Sequence, residues 1–136
     1  MLKVFKNQKY QTDEEVNSAA RISRREAIYS SIRHWRELAT APVKDLLSGD
    51  GPGFTIKECA LCRRYDANCT RCPLFVKLGD VKCYEIDGLY HKAFHAIRDI
   101  RTGSIGCIKA DRDVYIKRFR RTAEKLLNIL ISCLED

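Results

Sequence analysis

Two Cys-x-x-Cys pairs, Cys59-Ala60-Leu61-Cys62 and Cys69-Thr70-Arg71-Cys72, lie six residues apart, and a fifth thiol, Cys83, follows. No other stretch restricts the fold as much. A Cys-x-x-Cys turn aims both sulfurs at one point, and two such turns supply the four thiolates of a closed tetrahedral zinc site. The expected ligands are Cys59, Cys62, Cys69 and Cys72. The separation is shorter than the roughly 15–20 residues of a usual zinc ribbon. Cys83 is therefore the alternative fourth ligand, most naturally in place of Cys69. An iron–sulfur cluster also takes four cysteines and often has a Cys-Pro exit, as at Cys72-Pro73. The spacing is not that of a ferredoxin, so zinc is preferred and the cluster is the lesser alternative. Four thiolates leave no coordination position open, which suits a structural staple and argues against a catalytic metal. Arg63, Arg64 and Arg71 sit beside the sulfurs and would offset the negative charge of a thiolate-bound zinc.

Amphipathic helices are expected on both sides. Thr12-Asp13-Glu14-Glu15 fits a capping box, in which hydroxyl and carboxylate each satisfy the other residue's backbone amide. Val16, Ala20, Ala27, Ile28, Ser31, Trp35 and Leu38 then share one side at helical spacing. The run predicts a single helix over 13–39, with Trp35 as a core anchor. Residues 43–47 form one further turn after Pro42, and 48–53 form a glycine-rich loop without the phosphate-loop pattern. Short strands are conceivable at 1–11, or an arm there, and at 54–57. Pro73 opens a short helix to about residue 78. Asp87 caps a helix over 88–101, and Asp111 or Asp113 starts a last helix to Leu134. The apolar stripe of that helix is Ile116, Phe119, Ala123, Leu126, Leu127, Leu130 and Leu134, with Lys117, Arg118, Arg121 and Lys125 opposite. The fold expected is mainly α: three principal helices with a four-cysteine zinc knuckle and little or no sheet. Residues 1–136 make one domain.

The net charge of +7 favours an acidic partner, but it is dispersed, with no polybasic tail. No apolar run is long enough for a membrane span. The N-terminus lacks a secretory core, and the clustered cysteines suit a reducing cytosol. His91 and His95 are spaced i, i+4 and share a helical face with Arg98, but the glutamate of a His-Glu-x-x-His motif is absent, since Lys92 holds its place. These three, with Arg63, Arg64, Arg71 and the basic side of the last helix, are the candidate surface for nucleic acid or another partner. Aromatic interleaving is thin, with Tyr115 the one exposed aromatic near that helix. No nucleophile–base constellation exists around Cys107, so no enzyme is expected.

Ser31-Ile32-Arg33-His34-Trp35, the Cys59-Ala-Leu-Cys62 turn with Tyr65, Cys69-x-x-Cys72-Pro73-Leu74, Cys83 and Tyr90-His91-Lys92 together resemble a group of small bacteriophage proteins. That group shares a helix ending in His-Trp, a Cys-x-Leu-Cys…Cys-x-x-Cys-Pro-Leu…Cys core and a closing amphipathic helix. The resemblance covers about residues 28–134. It implies phage origin, host cytoplasm as the setting, and a five-cysteine set of which four would hold metal. It carries no activity with it. The expected function is a zinc-stabilised accessory protein that binds and modulates a host macromolecule, such as a polymerase, nuclease or defence component. Direct nucleic-acid binding is the alternative.

Overall fold

The computed structural model describes residues 10–47, 51–52, 59–65, 71–77, 95, 98 and 109–135. These are mainly helical, with no strand among them. The first helix, α1 (Asp13–Ile22), opens with the expected capping box. The Glu15 amide donates to Thr12 Oγ1 at 3.2 Å, and the Thr12 amide donates to Glu15 Oε1 at 3.0 Å. Burial pushes the Glu15 carboxyl up, but the Thr12 amide and Arg33 outweigh it and hold the group below its ordinary range.

The single helix expected over 13–39 is two helices. Ser23 is extended, with φ −167° and ψ 166°, and its hydroxyl accepts from the Glu26 amide at 3.0 Å. It ends α1 and caps α2 (Arg24–Thr40). A serine offers its backbone a local alternative to the helical bond, and a cap of this kind stabilises a helix start by about 1 kcal/mol. The break lets α1 pack against α2. All seven residues of the expected apolar stripe are nevertheless buried, Trp35 included. Arg33 links the two helices, reaching Glu15 at 2.6 Å and Glu37 at 3.1 Å. Glu37 also accepts from the Gln11 amide at 3.0 Å, which fixes the chain entering α1.

After Pro42, α3 (Val43–Leu47) forms as expected. Asp45 accepts a hydrogen bond from the Tyr10 hydroxyl. Burial, and then Asp45, push that phenol up to about 12. A Cβ added at Gly51 would lie 1.8 Å from the Asp45 carbonyl oxygen, so only glycine allows this close return of the chain. Two short helices follow, α4 (Ala60–Arg64) and α5 (Pro73–Lys77).

The last helix, α6 (Lys109–Cys133), begins before Asp111 and stops just short of Leu134. Lysine and alanine at its start are strong helix formers and extend it past the aspartates expected to cap it. Ile116, Phe119, Ala123, Leu126 and Leu130 are buried, while Leu127 and Leu134 are half-buried. Cys133 joins this core unexpectedly. Helix α6 packs most extensively on α2. Arg120 crosses between them and donates to the carbonyls of Ala39 at 2.6 Å and Ala41 at 2.5 Å. It thereby satisfies acceptors at the α2 C-terminus, where no helical partner remains. Each large apolar side chain in this interface contributes about 2–3 kcal/mol through burial.

Most of the arm or short strand expected over 1–11, the strand expected at 54–57, most of the helix expected at 88–101, and Cys69, Cys83, His91 and Cys107 lie outside the described residues. His95 and Arg98 are helical, as expected for that stretch. The third principal helix is otherwise outside the description.

Candidate metal turn and arginine cleft

Cys59 is itself extended, with φ −98° and ψ 116°, and its carbonyl accepts from the Arg63 amide at 3.2 Å as α4 begins. Its side chain is buried against α2, with Sγ 3.6 Å from the Ser31 hydroxyl. The Cys62 thiol donates to it most strongly, against the effect of burial. Ser31 and the amides of Cys62 and Leu61 add to this, and the Cys59 thiol is pulled down to about 6. Two sulfurs on one turn, with backbone amides directed at the first, are the donors that one half of a tetrathiolate site would need. This donor set fits zinc. Of the other expected ligands, Cys72 is buried just before α5, and Cys69 and Cys83 lie outside the described residues. Among the described residues no group of three or more His, Cys, Asp or Glu side chains is arranged to hold a metal. The expected ligand set thus has one pair drawn together.

Beside that turn, a cleft of about 410 Å³ opens between α1 and α4. Asn17, Arg21, Arg63, Arg64, Tyr65 and Arg71 line it. Arg63 and Arg64 reach it because the single turn of α4 ends there, and both are tied to α1. Arg63 pairs with Asp13 at 2.9 Å and donates to Asn17 Oδ1 at 2.7 Å. Arg64 Nη1 donates to the Ala20 carbonyl at 3.0 Å, while its Nε is buried with no hydrogen-bond partner among the described residues. The guanidinium carbons of Arg64 and Arg71 lie 5.9 and 5.7 Å from the Tyr65 ring centroid, within cation–π range. Among the described residues neither Arg21 nor Arg71 pairs with a carboxylate, and both are exposed. Several guanidinium groups at one concavity, with donors available, suit a phosphate or carboxylate ligand.

The expected surface residues therefore divide. Arg63, Arg64 and Arg71 come together, joined by Arg21, Asn17 and Tyr65, none of which was expected as part of this surface. Lys117, Arg118, Arg121 and Lys125 are all exposed on α6, as expected, but none lines this cleft. His95 is half-buried and Arg98 exposed. On α6 Tyr115 carries Arg118 at 5.5 Å, and away from that helix Arg25 lies 5.3 Å from Tyr29.

One buried polar group belongs to neither feature. His34 is 3% exposed, stands edge-on to Trp35 at 5.3 Å, and its Nε2 makes no hydrogen bond among the described residues. Burial pulls its imidazole down to about 4, so it is neutral. No protein-family model, curated protein or solved structure matches this chain. No helix among the described residues is long and apolar enough to cross a membrane.

Proposed function

We propose that this chain is a non-catalytic binding protein, a zinc-stapled helical scaffold whose arginine cleft grips an anionic macromolecular partner. The observation that carries the reading is the convergence of Arg21, Arg63, Arg64 and Arg71, from three separate stretches of chain, on one concavity. Zinc would be held by Cys59, Cys62, Cys72 and either Cys69 or Cys83. Such a metal supplies on the order of 10 kcal/mol toward folding. Because Arg71 adjoins Cys72 and Arg63 adjoins Cys62, it would also fix the two sides of the cleft. With phage origin, the partner is a host polymerase, nuclease or defence component in the host cytoplasm, and binding alters its activity. Nucleic acid held directly is the second reading, favoured by Tyr65 among the arginines.

Binding of fluorescein-labelled heparin to the metal-loaded protein tests the cleft. We expect affinity that falls steeply with salt and drops about tenfold or more in an Arg21→Glu/Arg71→Glu variant. Undiminished heparin affinity in that variant removes the cleft as the binding site.

A further inference from the structure

We infer that Cys59 and Cys62 form a dithiol that peroxide closes reversibly to a disulfide, and that this closure switches the arginine cleft off. The dithiol rests on the geometry of the α4 turn alone, while its hold over the cleft rests on the function proposed above. The two cysteines stand three positions apart on one turn, and the Cys62 thiol donates to the Cys59 sulfur. Cys59 is 4% exposed and lies beneath α2, with the Ser31 hydroxyl 3.6 Å from its Sγ. Cys62 is half-buried, whereas Cys59, Cys72 and Cys133, the other described cysteines, are buried. A sulfur that a small oxidant reaches, in contact with a second that it does not, is the arrangement of an attacking and a resolving cysteine.

With hydrogen peroxide the chemistry takes two steps. The Cys62 sulfur attacks one peroxide oxygen. The O–O bond breaks, an S–O bond forms, and the departing hydroxide takes the Cys62 proton as water. The Cys59 sulfur then attacks the Cys62 sulfur. The S–S bond forms, the S–O bond breaks, and the second hydroxide takes the Cys59 proton as water. The dithiol is oxidised by two electrons and the peroxide is reduced to water.

Closure reaches the cleft by two routes. An S–S bond of about 2 Å is shorter than a hydrogen-bonded contact between sulfurs, and burial holds Cys59 in place, so Cys62 is drawn inward. Arg63 follows it in the chain, and its contacts with Asp13 at 2.9 Å and Asn17 at 2.7 Å are disturbed. Disulfide sulfurs also lack the thiolate charge that a zinc ligand needs, so the pair leaves the ligand set. A single helical turn has little of its own to resist either change.

The test treats full-length, metal-loaded protein with a small molar excess of hydrogen peroxide, blocks the remaining thiols with N-ethylmaleimide, and maps the tryptic peptides by mass spectrometry. Cleavage after Lys57 and Arg63 leaves both cysteines on one peptide, 58–63, so an internal disulfide reads as that peptide left unblocked. We expect it to be the first oxidation product, with zinc appearing in solution alongside it. Heparin affinity should fall about tenfold, as expected of the Arg21→Glu/Arg71→Glu variant. Dithiothreitol with added zinc should restore both. The measurement needs no cysteine variant, which would remove the staple together with the thiol. A first disulfide between other cysteines, or Cys62 carried on to the sulfinic acid, overturns the redox pair. The 58–63 disulfide with undiminished heparin affinity overturns its hold over the cleft. Reduced protein that binds no heparin removes the cleft and that hold together, while the peptide map still decides the pair.

Discussion

Arginines in two parts of this molecule are used in opposite ways. In the helical core, Arg33 closes a bridge between Glu15 and Glu37, and Arg120 closes the α2 C-terminus by binding two carbonyls. Their donors face protein groups, and the helices they join are held mainly by Trp35, Phe119, Leu38, Leu126 and Leu130. At the cleft, Arg63 and Arg64 are tied to α1, while Arg21 and Arg71 pair with no carboxylate among the described residues. The core can be assembled from burial alone. The cleft stands on α4, a single turn, and short helices are marginal without outside support. On the proposed reading such a region would depend on its cysteines, with Arg63 and Arg64 fastening it to α1 and Arg21 and Arg71 serving binding rather than the fold.

Metal removal should separate the two regions most sharply. We expect one zinc per chain by elemental analysis, lost on Cys62→Ser together with a stability contribution on the order of 10 kcal/mol. Heparin binding should disappear with it. An apo protein that keeps both full stability and the cleft's affinity would remove the staple.

Trp35→Ala strikes the other region. It opens a cavity in a side-chain layer that is 2% exposed, and should cost about 3–5 kcal/mol in urea denaturation. Tyr65→Ala, at the half-buried edge of the cleft, should cost far less. Equal losses would mean that the cleft is part of the core.

His34 gives the core a pH dependence. Its imidazole titrates near 6.5 when unfolded and at about 4 when folded. Between those values the unfolded chain binds a proton that the native chain does not. Stability is therefore full above about 6.5 and falls as pH drops toward 4, by about 3 kcal/mol in all. His34→Gln should flatten that limb of the melting-temperature profile relative to wild type. A profile as steep as wild type's would assign the acid sensitivity to other groups.

Local features were legible in the chain before its fold was known. The Thr12–Glu15 box, the Trp35 stripe and the α6 stripe each declare themselves within a few turns. The break at Ser23 was hidden because the apolar residues of α1 and α2 keep a helix-like spacing across it. Only Ser23-Arg24-Arg25-Glu26, a second capping pattern, marked it. The cleft had a weaker signature. Arg63, Arg64 and Arg71 stood out as neighbours of cysteines, but Arg21 reaches the same concavity from a distant part of the chain. Arg120 is likewise about eighty positions from the carbonyls it binds. Contacts of that separation depend on how helices dock, which no local pattern encodes. Whether four thiolates converge is the same kind of question, and only Cys59 and Cys62, three apart on one turn, answer it locally.

The smallest expected effect is the most telling about the two uses of arginine. Arg120→Ala strips the donors from the Ala39 and Ala41 carbonyls at a half-buried helix end, and should cost about 1–3 kcal/mol. Arg21→Ala removes an exposed side chain with no ion pair among the described residues, and should change stability by no more than about 0.5 kcal/mol. Paired urea titrations under the same metal and salt conditions measure both. If Arg21→Ala proves as costly as Arg120→Ala, the cleft arginines are structural and the contrast fails. If it is neutral in stability yet weakens heparin binding, Arg21 contributes to binding without contributing to the fold.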